Sequence, residues 1–119
     1  MRFLLDTNVV IYLQKGVLNE SLPPAFYSIS IITEMELLSY PMLSDEDINW
    51  LHRFIGAVEI IGLTKEVKEL AIELRRSHKL RLPDAIVAAS ALVYDAVLLS
   101  NDQQLSRVSG LKLQSVRLK

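Results

Sequence analysis

Four short strand-like runs, Phe3-Leu4-Leu5, Phe26 to Ile31, Val58 to Ile61 and Val97 to Ser100, are each too short for a buried helix, and each leads into a segment able to start one. Asp6-Thr7-Asn8 supplies good helix caps after the first run, predicting a helix over Val9–Lys15 that stops at Gly16. After the second run, Thr33 opens a predicted helix through Tyr40 that Pro41 ends. Ser44 is the predicted cap of another, with Asp47 at its third position, Ile48, Leu51 and Ile55 along one face, and Gly56 as its stop. From Thr64 to Lys79, Val67, Leu70, Ala71 and Leu74 fall on one helical face while Lys68, Glu69, Glu73 and Arg76 occupy the other, so this is a surface helix. The next helix, Pro83–Tyr94, is apolar nearly all round and rich in alanine, which predicts burial. A short helix follows Asn101-Asp102, and Lys112–Val116 reads as an edge strand. Strands alternating with helices imply a parallel sheet covered on both faces, an α/β class.

The chain has 119 residues, half of them hydrophobic, and a formal net charge of −1, which fits a single folded domain over 1–119 and excludes disorder. It contains no cysteine, so disulfides, thiolate zinc sites and thiol nucleophiles are excluded. His52 and His78 lie in separate segments and are too few for a histidine-built metal cage. No apolar run approaches a membrane span. Asp6 breaks the apolar start before it reaches the length of a signal core, so a cytoplasmic protein is expected. The aromatic residues Trp50, Tyr12, Tyr27, Tyr40 and Tyr94 could stack bases, with packing in the core or at an interface the expected role of most of them.

Charge is unevenly spread. Residues 1–74 hold five Lys/Arg and eleven Asp/Glu, whereas residues 75–119 hold eight and three. Arg75, Arg76, Lys79 and Arg81 cluster just before Asp84 with no acid between them, a pattern that suits either a polyanion or the negative end of a helix.

In an open parallel sheet, ligands bind beyond the carboxyl ends of the strands. Acids collect there: Asp6 directly after the first strand, Glu36 in the turns after the second, Asp84 in the first turn of the alanine-rich helix, and Asp102 after the fourth strand. Singly, Asp6 and Asp102 read as helix caps, Asp84 as a first-turn acid and Glu36 as a solvated residue. Together, four carboxylates repel one another and call for a cation. With only oxygen ligands on offer, that cation is a hard divalent ion such as Mg²⁺ or Mn²⁺, which bridges phosphate oxygens and activates water. The expectation is therefore one pocket holding all four acids, with at least one carboxyl pKa raised by repulsion.

These residues resemble the PIN-domain family, in particular its small VapC-like toxins of prokaryotic toxin–antitoxin pairs. Leu4-Leu5-Asp6-Thr7-Asn8 is similar to the family's strand followed by Asp-Thr-Asn, and Ser30 to Leu37 to its Ser-x-x-Thr-x-x-Glu-Leu stretch. Leu82 to Ala91 resembles the motif in which an Asp heads a small-residue helix. Leu98 to Leu105 resembles the fourth motif, with Ser100 where Thr is usual. The family's glycine after Glu-Leu is replaced by Ser39-Tyr40-Pro41. The resemblance spans the whole chain and implies a three-layer α/β/α sandwich with a central parallel sheet. It implies a Mg²⁺- or Mn²⁺-dependent ribonuclease with Asp6, Glu36, Asp84 and Asp102 as metal-binding catalytic acids. Thr7, Asn8, Thr33, Ser100 and Asn101 would position them, and the implied partners are an RNA substrate, an antitoxin protein and a second copy of the chain. Arg75, Arg76, Lys79 and Arg81 are then assigned to the RNA backbone, Arg81 first because it lies nearest Asp84, with an acidic segment of a partner protein as the competing assignment.

Three other readings compete. A phosphatase of the haloacid dehalogenase type needs a second Asp where this chain has Asn8. A non-catalytic binding module would account for the fold but not for four retained acids. A DNA-directed metal nuclease differs only in substrate, because cations that recognise phosphate do not distinguish sugars.

Overall fold

The computed structural model, which describes residues 1–119, runs β1 (Arg2–Leu5), α1 (Thr7–Lys15), β2 (Phe26–Ser30), α2 (Ile31–Leu38), α3 (Asp45–Ala57), β3 (Glu59–Ile61), α4 (Lys65–His78), α5 (Leu82–Val93), β4 (Val97–Leu99) and β5 (Leu113–Gln114), with a 3₁₀ turn at Gln103–Arg107. All four strand pairings are parallel, in the order β3-β2-β1-β4-β5. The chain therefore builds outward from β1 to β2 and β3, then crosses to the other side of β1 for β4 and β5. That reversal leaves a crevice beyond the carboxyl end of β1, where open α/β sheets take their ligands.

Alternation along the strands divides the interior into two cores, which makes the protein a three-layer α/β/α sandwich. Leu4 and Leu98 point into one core with Val67, Ala71 and Leu74 of α4 and the alanines of α5. Phe3, Leu5 and Leu99 point into the other, with Val9 and Val10 of α1, Leu37 of α2 and Leu51 of α3. Each fully buried leucine here contributes about 1.5–3 kcal/mol of transfer free energy. Ala85 and Ala88 to Ala91 are all buried, their small side chains allowing α5 to pack closely on α4 and the sheet.

Local signals set most boundaries. Ser44 and Asp47 form the reciprocal capping box that starts α3. Gly16 closes α1 in the left-handed conformation at φ 67°. Four expectations need correction. α2 opens at Ile31 rather than Thr33, because Ser30 accepts a hydrogen bond from the Ile32 N–H and caps it earlier. Thr33 is consequently buried within the helix. Gly56 lies inside α3 instead of ending it; a side chain at this position would point into open space, and one glycine costs a helix only about 1 kcal/mol. The last helical turn is 3₁₀, and β5 is two residues long because Val116 leaves the ladder to bond the Asn101 side chain. No helix is long and apolar enough to cross a membrane.

Candidate active site

Asp6, the residue after β1, reaches the crevice while serving the fold. Its Oδ1 accepts from the Thr7 N–H at 2.9 Å and caps α1, and its Oδ2 accepts from the Ser100 hydroxyl at 2.6 Å. Both oxygens are thus aimed by the chain. The Asp6 N–H donates to the Leu99 carbonyl, tying the end of β1 to the end of β4. Ser100 Oγ also accepts from the Asp102 N–H at 3.1 Å, so one buried hydroxyl orients two of the four acids.

Glu36 is held from the opposite side. Thr7 Oγ1 lies 2.7 Å from Glu36 Oε1 and 3.2 Å from Thr33 Oγ1. A hydroxyl has one proton to give, and the carboxylate contact is the shorter. Asp84 sits in the first turn of α5 and accepts from Arg81 Nε at 3.1 Å. Asp102 caps the 3₁₀ turn by accepting from the Gln104 N–H at 3.0 Å.

These pieces enclose a single cavity of about 410 Å³, lined by Asp6, Thr7, Asn8, Tyr12, Glu36, Tyr40, Arg81, Asp84, Asn101 and Asp102. All four candidate acids are on its wall. Thr33 supports it from behind through Thr7, and Asn101 lines it while fastening Val116. Of the four candidate cations only Arg81 lines the cavity; Arg75 and Arg76 are exposed in the last turn of α4, and Lys79 caps that helix. Tyr12 and Tyr40 line the cavity too. Tyr12 follows Asn8 by one turn of α1, a helical spacing that points to it, whereas Tyr40 lies beyond the end of α2 and carries no such local signal.

Burial is the main reason the Asp6 carboxyl is pushed above its usual range, with the charges of Asp84 and Asp102 adding to it. The Ser100 hydroxyl and the Thr7 N–H pull it back down. The expected rise is present, but desolvation rather than mutual repulsion leads it.

No three of the Asp, Glu or His side chains are grouped tightly enough to form a ready metal cage. That spread still fits Mg²⁺ or Mn²⁺: such ions keep several waters and rest on one or two carboxylates plus the phosphates of a substrate. A wall whose metal-binding donors are all oxygens and whose charge is negative on balance suits a hard divalent cation.

Among curated proteins none matches. The fold is shared with solved structures. DNA-bound VapBC from Salmonella typhimurium has a TM-score of 0.80 and 22% identity, covering 97% of this chain and 98% of that one. VapBC2 from Rickettsia felis, bound to a DNA fragment from their promoter, has 0.78 and 19%, covering 98% and 100%. A toxin–antitoxin complex from Klebsiella pneumoniae has 0.73 and 26%, covering 91% and 93%. The model of the PIN domain matches residues 3–111. With nearly its whole length matched, this chain belongs to the PIN domain family.

Proposed function

We propose that the protein is a Mg²⁺- or Mn²⁺-dependent endoribonuclease and the toxin of a toxin–antitoxin pair. The observation that carries this reading is the placement of Asp6, Glu36, Asp84 and Asp102, from four separate segments, on one cavity at the carboxyl edge of the sheet. When bound, the divalent ion supplies a water of lowered pKa and positive charge beside the departing oxygen.

The chain's own contribution is positional. Asp6, Asp84 and Asp102 are the carboxylates from which the ion would be held, Asp6 being fixed at both of its oxygens. Glu36 has one oxygen engaged by Thr7, and its other oxygen makes no hydrogen bond, leaving it able to take a proton from an incoming water. Arg81 supplies the cavity's positive charge for a substrate phosphate. Tyr12 and Tyr40 give flat apolar surfaces against which a base can stack.

An antitoxin partner and a homodimer complete the reading. Two observations support a protein partner. Of the solved structures named above one is a toxin–antitoxin complex and two are VapBC assemblies, and α2 with the loop after it leaves Met35, Leu38, Tyr40 and Met42 exposed beside the cavity-lining Glu36.

The test is incubation of the purified protein with matched labelled RNA and single-stranded DNA, with Mg²⁺, with Mn²⁺ and with excess chelator, and with Asp6→Asn as control. Metal-dependent cleavage of RNA that Asp6→Asn abolishes is expected. Full cleavage in chelator refutes the metal mechanism, and preferential cutting of DNA refutes the choice of substrate.

A further inference from the structure

The cavity holds four carboxylates and one cation, and the way that cation is attached has a consequence beyond simple charge balance. Arg81 makes a single side-chain hydrogen bond, from Nε to Asp84 Oδ2 at 3.1 Å. Its two terminal amino groups have no partner. The Arg81 side chain is 77% exposed while that of Asp84 is 14% exposed, so the pair is open to solvent on the arginine's side. Arg81 precedes α5 as its cap residue but makes no side-chain cap bond, and Leu80 before it is buried. The guanidinium therefore turns on a backbone fixed on both sides. An arginine held through Nε alone keeps free the terminal N–H groups that grip a phosphate in a two-pronged bond.

The geometry points to Arg81 as a resident counter-cation that competes with the divalent ion for Asp84 and passes to the substrate phosphate when the ion displaces it. This rests on the metal-dependent reading given above. With Arg81 paired, Asp84 is neutralised and the crowding of charge that Asp6 feels is reduced. With the ion bound, Asp84 has a stronger partner and Arg81 is released beside the scissile strand. The exchange is easy, because exposed ion pairs shift an equilibrium by only about 1.5- to 5-fold. Asp84 thereby has a cationic partner in both states, and the arginine's whole guanidinium becomes available to RNA once the catalytic ion is in place.

A helix-end ion pair without this role makes different predictions. Titration calorimetry with Mn²⁺ on the full chain is the first measurement. Arg81→Gln is expected to bind Mn²⁺ up to about 5-fold more tightly than the wild type, with Arg81→Lys between the two. The second measurement is the anisotropy of a fluorescein-labelled 12-nucleotide uridine strand in chelator. There, Arg81→Gln should cost more RNA affinity in an Asp84→Asn background, where the arginine is already free, than in the wild type, where it is engaged. The salt slope should fall by about 0.7 in the Asp84→Asn background. Equal or weaker Mn²⁺ binding by Arg81→Gln overturns the competition, as does an equal cost to RNA binding in the two backgrounds. No Mn²⁺ uptake by the wild type overturns the metal-dependent reading and this inference with it.

Discussion

Ser100 donates its hydroxyl proton to Asp6 Oδ2 over 2.6 Å, joining residues 94 positions apart. The contact lowers the Asp6 carboxyl against the upward push of burial. Ser100→Ala removes the donor, so the Asp6 carboxyl should titrate at higher pH and metal-dependent cleavage should fall. Ser100→Thr keeps the hydroxyl and should retain most activity. A carboxyl-carbon NMR titration of Asp6 in the wild type and Ser100→Ala checks this; an unchanged titration removes Ser100 from control of the site.

The raised Asp6 carboxyl also sets a pH dependence. Its unfolded value is about 3.9 and its folded value lies higher, so the native state binds more protons. The associated stability is fully present below the unfolded value and is lost as pH rises through the folded one. Asp6→Asn keeps a cap for α1 and carries no charge, so it escapes that loss. In the metal-free protein, the melting temperature of Asp6→Asn relative to wild type should therefore increase from acid toward neutral pH. Melting curves at several pH values check the sign, and a constant difference contradicts it.

Thr7 links Asp6's helix to Glu36 and Thr33. Thr7→Val preserves shape but leaves the buried Thr33 hydroxyl without its partner and lets Glu36 move, which should cost about 1–3 kcal/mol of stability and most of the cleavage rate. Thr7→Ser should restore both. Urea unfolding combined with cleavage assays separates the outcomes: full activity in Thr7→Val would show that Glu36 needs no holding.

The α4–α5 contact yields a prediction independent of function. Ala88 has no exposed surface and lies in the core shared by α4, α5 and the sheet, where a larger side chain has to displace its neighbours. Ala88→Leu should destabilise the protein by about 1–3 kcal/mol through overpacking. Ile72→Leu, on the exposed face of α4, should stay within about 0.5 kcal/mol. Comparison of urea midpoints tests the pair, and equal effects would contradict the close packing of α5.

What could be read in advance follows the range of the interaction. Asp6 and Asp84 announce themselves locally, one after an apolar strand and the other after a proline at a helix start. The Ser44 box and the Gly16 stop are local too. The start of α2 was misplaced because Ser30 and Thr33 are both good caps, and only the sheet decides which one is free to act. The hydrogen bond from Ser100 to Asp6 depends on two strands becoming neighbours, which no short window contains. The separation of Arg81 from Arg75 and Arg76 depends on where α4 ends relative to the sheet, so four cations that look like one cluster in the chain divide into one that lines the cavity and three that do not.

The strand order carries a consequence for how the molecule comes into being. β1 is made long before its neighbour β4, and the Asp6 N–H finds its acceptor, the Leu99 carbonyl, only once β4 has emerged. Contacts this distant along the chain form late and slowly. A ribosome-bound chain holds Asp6 and Glu36 well before it holds Asp84, and acquires Asp102 last of the four. Its proposed chemistry is therefore withheld until β4 and the turn after it have emerged, and a restraining partner has to be present only from that moment.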